Sequence, residues 1–326
     1  MTGFTLLELM IAMTIGVFLL GTLAVVLINN SQTRYELEKS LGQMQNARYA
    51  LQVLSDDVAN AGFYGEVKIG DYTIWTPTDK ECPTIQDFTN QTAPPIKLPV
   101  WIRGLNNIST SLPSCTPDAL GGSDIFVVRR SATCAAGEFG CDDFPKVNGL
   151  PHIQKSGCGA SLTIATIRDD FAGTIPPCSG SPPSDAPIYR LINHVYYLMN
   201  LAVSVSGESV PTLMRAELTA NGYESFPIAE GIEHLHFEYG VDTSGNGEPN
   251  RYRTANDITE TDWQNVVSVR VYLIARNLRP TNGYEDERTY KLGRASVEPS
   301  GDARSFKRQA YSTTIRLNNI AGPLER

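Results

Sequence analysis

The first apolar run, Phe4 to Ile28, reads FTLLELMIAMTIGVFLLGTLAVVLI and carries a single charge, Glu8. A run of this length crosses the hydrocarbon core of a bilayer as one helix. No basic residue precedes it, and Asn29, Asn30, Ser31 and Gln32 follow it in place of a small-residue cleavage site, so the pattern predicts a retained span rather than a secretory signal. Beyond the span, Leu37, Leu41, Met44, Ala47, Leu51, Leu54 and Val58 recur at steps of three and four. That spacing predicts an amphipathic continuation of the same helix to about Ala61, with Gly62 as its stop signal. Such a helix would be roughly 87 Å long at ~1.5 Å per residue, too long to be buried in one domain. The predicted organisation is a leader (1–3), a membrane span (4–28), an amphipathic segment (29–62) and a head (63–326).

In the head the period changes to two. Strands are predicted at 124–130, 162–168, 188–199, 212–218, 232–239, 266–276 and 309–317. Val267, Val269, Val271 and Leu273 fall on one face and Ser268, Arg270 and Tyr272 on the other, as in a sheet with one buried face. The fold class is therefore α+β: a long N-terminal transmembrane and amphipathic helix packed on a largely antiparallel sheet. A stretch of about 66–185, rich in Pro, Gly, Ser and Thr, interrupts the pattern and reads as a loop insertion. All the cysteines lie within it: Cys82, Cys115, Cys134, Cys141, Cys158 and Cys178. Their number suits a disulfide framework, and about fifteen pairings are open; neighbours in order (82 with 115, 134 with 141, 158 with 178) are the simplest. No C-x-x-C or zinc-knuckle spacing occurs, so disulfides are favoured over metal thiolates, which implies the periplasm or the cell exterior.

The formal net charge of −8 and a first basic residue as late as Arg34 leave no basic tract for a phosphate backbone, so no direct nucleic-acid binding is expected. A nucleophile elbow, a phosphate loop, a dinucleotide fingerprint and a helical H-E-x-x-H are all missing from the sequence, which gives no reason to expect an enzyme. Glu8 carries the chemistry instead. A carboxylate within a bilayer span costs about 2.5–3.5 kcal/mol on insertion scales and signals a function.

The string Gly3-Phe4-Thr5-Leu6-Leu7-Glu8 resembles the class III signal sequence of type IV pilins and type II secretion pseudopilins. The resemblance implies cleavage between Gly3 and Phe4 by prepilin peptidase and N-methylation of Phe4. It also implies that Glu8 serves subunit assembly, pairing in the apolar filament core with the N-terminal amine of a neighbour. The leader Met1-Thr2-Gly3 is shorter than those of the family and has no basic residue, so a start codon upstream stays open. The large size, the string from Asn46 to Leu51 and on from Asp56 to Gly65, and the segment from Glu230 to Asp242 are similar to PilW-type minor pilins. That likeness implies a low-copy subunit of a priming or tip complex that initiates pilus assembly. It would be held in the inner membrane with its head in the periplasm, and reach the cell surface in the pilus. The implied partners are other minor pilins, pilus assembly proteins, a tip adhesin and prepilin peptidase. The implied processes are twitching motility, adhesion and DNA uptake. The J-type minor pseudopilin of type II secretion is the alternative.

Two polar constellations remain. Asp242, Ser244, Asn246, Glu248 and Asn250 resemble the first part of an EF-hand-like calcium loop turning at Gly247, and a calcium-modulated ligand-binding tip module is a further alternative. Position twelve of that loop is Arg253, so Asp257 or Glu260 would have to fold back to complete it; the competing reading is a polar hairpin turn. His234 and His236 point to one side of a strand and are expected to be exposed.

Overall fold

The computed structural model describes residues 5–68, 71–75, 80–91, 95–108, 112–141, 149–159, 161–178, 184–202 and 209–325. Gly3 and Phe4, the expected cleavage pair, lie outside these. Helix α1 (Leu6–Ala59) is continuous over 54 residues, about 81 Å at ~1.5 Å per residue. It opens with a capping box: the Thr5 hydroxyl accepts from the Glu8 N–H, and the Glu8 carboxylate accepts from the Thr5 N–H. It closes at Asn60, after which Gly62 adopts φ +73°, and a side chain there would collide with Ile320.

The buried face of α1 is Gln43, Ala47, Ala50, Leu54, Asp57 and Val58. Leu37 and Leu41, predicted to belong to the stripe facing the head, are instead 58% and 51% exposed. At ~3.6 residues per turn they sit more than a third of a turn from the line Ala50–Leu54–Asp57, and the head encloses only that side of the helix. The apolar window of the N-terminal half has none of its residues buried.

The head contains β1 (Thr73–Trp75), α2 (Ile85–Thr89), β2 (Lys97–Pro99), β3 (Ile102–Leu105), β4 (Ile125–Ser131), β5 (His152–Lys155), β6 (Leu162–Ala165) and β7 (Ile188–Ala202). It continues through β8 (Ser209–Thr219), β9 (Gly222–Glu230), β10 (Ile232–Val241), β11 (Arg251–Arg253), β12 (Val266–Arg276), β13 (Tyr290–Leu292), β14 (Ala295–Val297), β15 (Arg308–Arg316) and α3 (Asn318–Ala321). One antiparallel sheet has the order β11-β10-β12-β15. A second, seven-stranded sheet is built on β7, which pairs with β4, β5 and β8, while β3, β6 and β9 extend it. The Cys-bearing stretch is thus more than loops, since β3 to β6 belong to this sheet. β4 and β6 fall at the predicted strands 124–130 and 162–168, while β3 and β5, four residues each, are too short for alternation to reveal them.

α1 and the inner faces of both sheets share one core. Ala47, Ala50, Leu54 and Val58 meet Phe126, Tyr196, Leu213, Phe237, Val269 and Val271 there. Phe126 stacks on Phe237 at 4.3 Å, and the Tyr239 hydroxyl approaches Gly104 so closely that any side chain at that position would collide with it. On the far face of the seven-stranded sheet, Ile125, Val127, Val195, Tyr197 and Met214 are covered by Cys82, Ile108 and Cys115.

Candidate functional site: the helix and its mounting in the head

The chemistry of the chain is concentrated along α1. At its start the Glu8 carboxylate accepts from the Thr5 backbone N–H at 2.9 Å and from the Thr5 hydroxyl at 3.0 Å, both through Oε2. From Tyr35 onward, whose hydroxyl accepts from Arg279 at 3.3 Å, polar contacts clamp the helix to the head. The Glu36 carboxylate accepts from Lys307 Nζ and Lys39 Nζ, each at 2.8 Å, and from the Thr281 hydroxyl at 3.2 Å. The hydrogen bond from Lys307, reinforced by Lys39, holds the Glu36 carboxyl down at about 2. Two to three turns further along, Gln43 Nε2 donates to the Ala275 carbonyl at 2.6 Å and Asn46 Nδ2 to the Glu230 carbonyl at 3.0 Å.

The last fastening is Asp57, only 4% exposed. Arg130 Nε donates to its Oδ1 at 2.7 Å, while His194 Nδ1 at 2.6 Å and the Tyr196 hydroxyl at 2.8 Å donate to Oδ2. Burial is the largest influence on this carboxyl and pushes its pKa up; the charges and hydrogen bonds of His194 and Arg130 outweigh it and hold the group below the usual carboxylate range. Sequence reasoning passed over both Glu36 and Asp57. The available signal was that Asp57 falls in the same register as Ala47, Ala50 and Leu54, a charge in line with apolar positions, which a solvated face does not require.

Similar fastenings hold the Cys-bearing stretch. Cys82 is bonded to Cys115, Cys134 to Cys141 and Cys158 to Cys178. Arg129, fully buried, donates to Asn193 Oδ1 at 2.6 Å, to the Val100 carbonyl at 2.8 Å and to the Lys80 carbonyl, and burial lowers its pKa to about 10. Arg103 grips Glu81 at 2.8 Å and Glu260 through both guanidinium Nη atoms, each at 2.8 Å, with Lys80 adding a contact to Glu260 at 2.6 Å. The Arg103 hydrogen bonds hold Glu260 at about 2.

The Asp242 loop joins β10 to β11. Asp242 Oδ1 accepts from the N–H groups of Ser244 (2.8 Å) and Gly245 (2.7 Å), and Oδ2 from that of Gly247 (2.7 Å). Asn246 Oδ1 accepts from the Ser244 hydroxyl and the Glu248 N–H, and Asn250 Oδ1 from the Thr243 N–H and hydroxyl. These are the bonds of an Asx-rich hairpin turn. Asp257 and Glu260 do not fold back to the loop; Asp257 pairs with Arg294 and Glu260 with Arg103 and Lys80. Arg253, at position twelve, pairs with Asp262 at 2.9 Å.

His234 and His236 do share one side of β10, with ring centroids 6.3 Å apart, but both are partly buried rather than exposed. The β13–β14 hairpin and the segment at Asn106 and Asn107 wall in the cleft they line, and His236 Nδ1 lies 3.3 Å from Asp124 Oδ1. Among the described residues no group of three or more His, Cys, Asp or Glu is placed to hold a metal ion.

The chain thus presents an apolar helix left bare over its first half and fastened over its second half into a β-rich head. Residues 195–319, from the middle of β7 into α3, match the family described as Type IV Pilus-assembly protein W. Among solved structures the chain is similar to a type IV-like pilin from Thermus thermophilus, at 11% identity and a TM-score of 0.36, over 85% of this chain and 96% of that one. No curated protein sequence matches the chain.

Proposed function

We propose that this chain is a minor pilin of a type IV pilus, a non-catalytic subunit of the priming or tip complex that initiates filament assembly. Its first residues would be a prepilin leader cut between Gly3 and Phe4, with methylation of Phe4. Residues up to about 28 would lie in the inner membrane, with the head in the periplasm until assembly carries it to the cell surface. The observation that carries this reading is α1 itself: bare and apolar over its first half, with its single carboxylate Glu8 at the start, and gripped by the head only from Tyr35 and Glu36. In an apolar filament core Glu8 would take the terminal amine of a neighbouring subunit as counter-charge and so set register between subunits. The match to the pilus-assembly family over 195–319 supports the choice of a pilus. Partners would be other minor pilins and pilus assembly proteins, with a tip adhesin beyond them, and the processes served would be twitching motility, adhesion and DNA uptake.

The test is the intact mass of the protein from its native membrane, beside a Gly3 substitution and a strain lacking prepilin peptidase. The expected species begins at methylated Phe4 and is missing from both controls. An unprocessed N-terminus in wild-type cells would overturn the proposal. Recovery of the mature chain in sheared pili separates a pilus subunit from a secretion pseudopilin.

A further inference from the structure

The seven-stranded sheet and the four-stranded sheet each end in one long open edge, and the two edges are built differently. β9 carries Pro227, a register shift opposite Leu213 and Met214, and the carboxylates Glu224 and Glu230. Proline, bulges and charges are the devices that keep a strand edge from pairing with another chain. β15 pairs with β12 along its whole length and, among the described residues, with no other strand. Between its terminal arginines it reads Gln309-Ala310-Tyr311-Ser312-Thr313-Thr314-Ile315, with no proline, glycine or charge. Among the described residues, the backbone of 309–315 makes no hydrogen bond outside its ladder with β12. The alternate N–H and C=O groups that point away from β12 are strong donors and acceptors facing outward.

The side chains fit the same purpose. Tyr311, Thr313 and Ile315 are at least partly buried, Tyr311 and Ile315 against the core shared with α1. Ala310, Ser312 and Thr314 alternate with them on the exposed face and are all small, so a strand can lie flush beside β15.

We propose that the outer edge of β15 is a strand-pairing site for an extended segment from the head of a neighbouring membrane-anchored subunit, an inference that rests on the assembly role proposed above. Only an extended backbone matches alternating N–H and C=O groups along a strand. A neighbouring head is the occupant the geometry favours, because α1 fixes the height of every such head above its membrane. The fastening starts at Tyr35 and Glu36, about two turns beyond the apolar run that ends at Ile28. α1 also packs directly on β15, and its exposed Leu37 and Leu41 place apolar side chains at the level of the head. A neighbour packed along that helix brings its head to the β15 edge.

Amide hydrogen exchange of the full-length chain, in dilute detergent and in sheared filaments, tests this, together with Ser312→Lys, which places a charge on the exposed face without touching the core. In detergent the outward amides of 309–315 should exchange freely, and in filaments they should become protected. The lysine variant should enter filaments severalfold less than wild type with its melting temperature unchanged. Fast exchange in filaments, together with normal incorporation of the variant, overturns the edge pairing and leaves the assembly role standing. A chain that is unprocessed and missing from filaments overturns both. Protection already present in detergent, and growing with protein concentration, assigns the edge to a second copy of this chain and overturns the neighbouring-subunit occupant.

Discussion

At Asp57 a carboxylate on α1 is almost completely removed from water and receives donors from two strands of the seven-stranded sheet. Removing one member of a buried charged cluster leaves the others unpaired, which costs about 3–5 kcal/mol. Asp57→Ala should therefore destabilise the head by about that amount in denaturant unfolding, and Asp57→Asn by less, because an amide oxygen still accepts from Tyr196. Asp242 works by the same logic on a smaller scale. Its carboxylate accepts from three loop N–H groups, and desolvation, the largest influence on it, is outweighed by those bonds, so its pKa is lowered. Leaving those donors unsatisfied in Asp242→Ala should cost about 1–3 kcal/mol in calcium-free buffer, read as lost amide protection across the β10–β11 hairpin. A loss that appears only when calcium is present would instead assign the loop to a cation.

At the scale of elements, α1 is divided by what touches it. Leu54 lies in the shared core with no exposure, whereas Leu41 is half exposed. Leu54→Ala should cost about 2–5 kcal/mol in the purified subunit. Leu41→Ala should change its stability by less than about 0.5 kcal/mol while reducing recovery in filaments, where the proposed assembly would cover that surface. The helix and the long strands were legible because their periods run for many residues: β12 alternates from Val267 to Leu273 and β7 extends for fifteen residues. Of the short strands β6 was legible, as part of 162–168, but β3 and β5 were not, since each offers two repeats of the pattern at most. β9 escaped notice because Pro227 and Glu224 mask an edge strand. The N-terminal motif was legible from residue types alone. The clamp at Glu36 and Asp57 was not, because its partners Lys307, Arg130 and His194 lie far along the chain and no local spacing brings them together.

For the whole molecule, three carboxylates tie distant pieces of chain: Glu36 joins α1 to the end of the head, Asp57 joins α1 to the seven-stranded sheet, and Glu260 joins Arg103 and Lys80 to the segment before β12. All three have pKa values lowered in the folded state, Glu36 and Glu260 to about 2. A lowered folded value means that the stabilisation is fully present above the unfolded values of ~3.9 for Asp and ~4.3 for Glu, and is lost as pH falls through the folded values. Stability should therefore show no loss from these groups between neutral pH and about pH 5, then fall steadily from about pH 4 toward pH 2. The side chains of Glu36 and Glu260 are 30% and 48% exposed, so salt screens their share, while Asp57, at 4%, is shielded from it. Unfolding at pH 6 and pH 3, each in low and high salt, resolves the two contributions. The surface pairs predict an acid loss that shrinks with added salt, and Asp57 predicts a residual loss that salt does not remove and that disappears in Asp57→Asn. Because Glu36 and Asp57 both face α1, acidification should loosen the head from the helix before it disrupts the disulfide-braced sheet, with amides around Gln43 to Val58 losing protection ahead of those in β4 and β7.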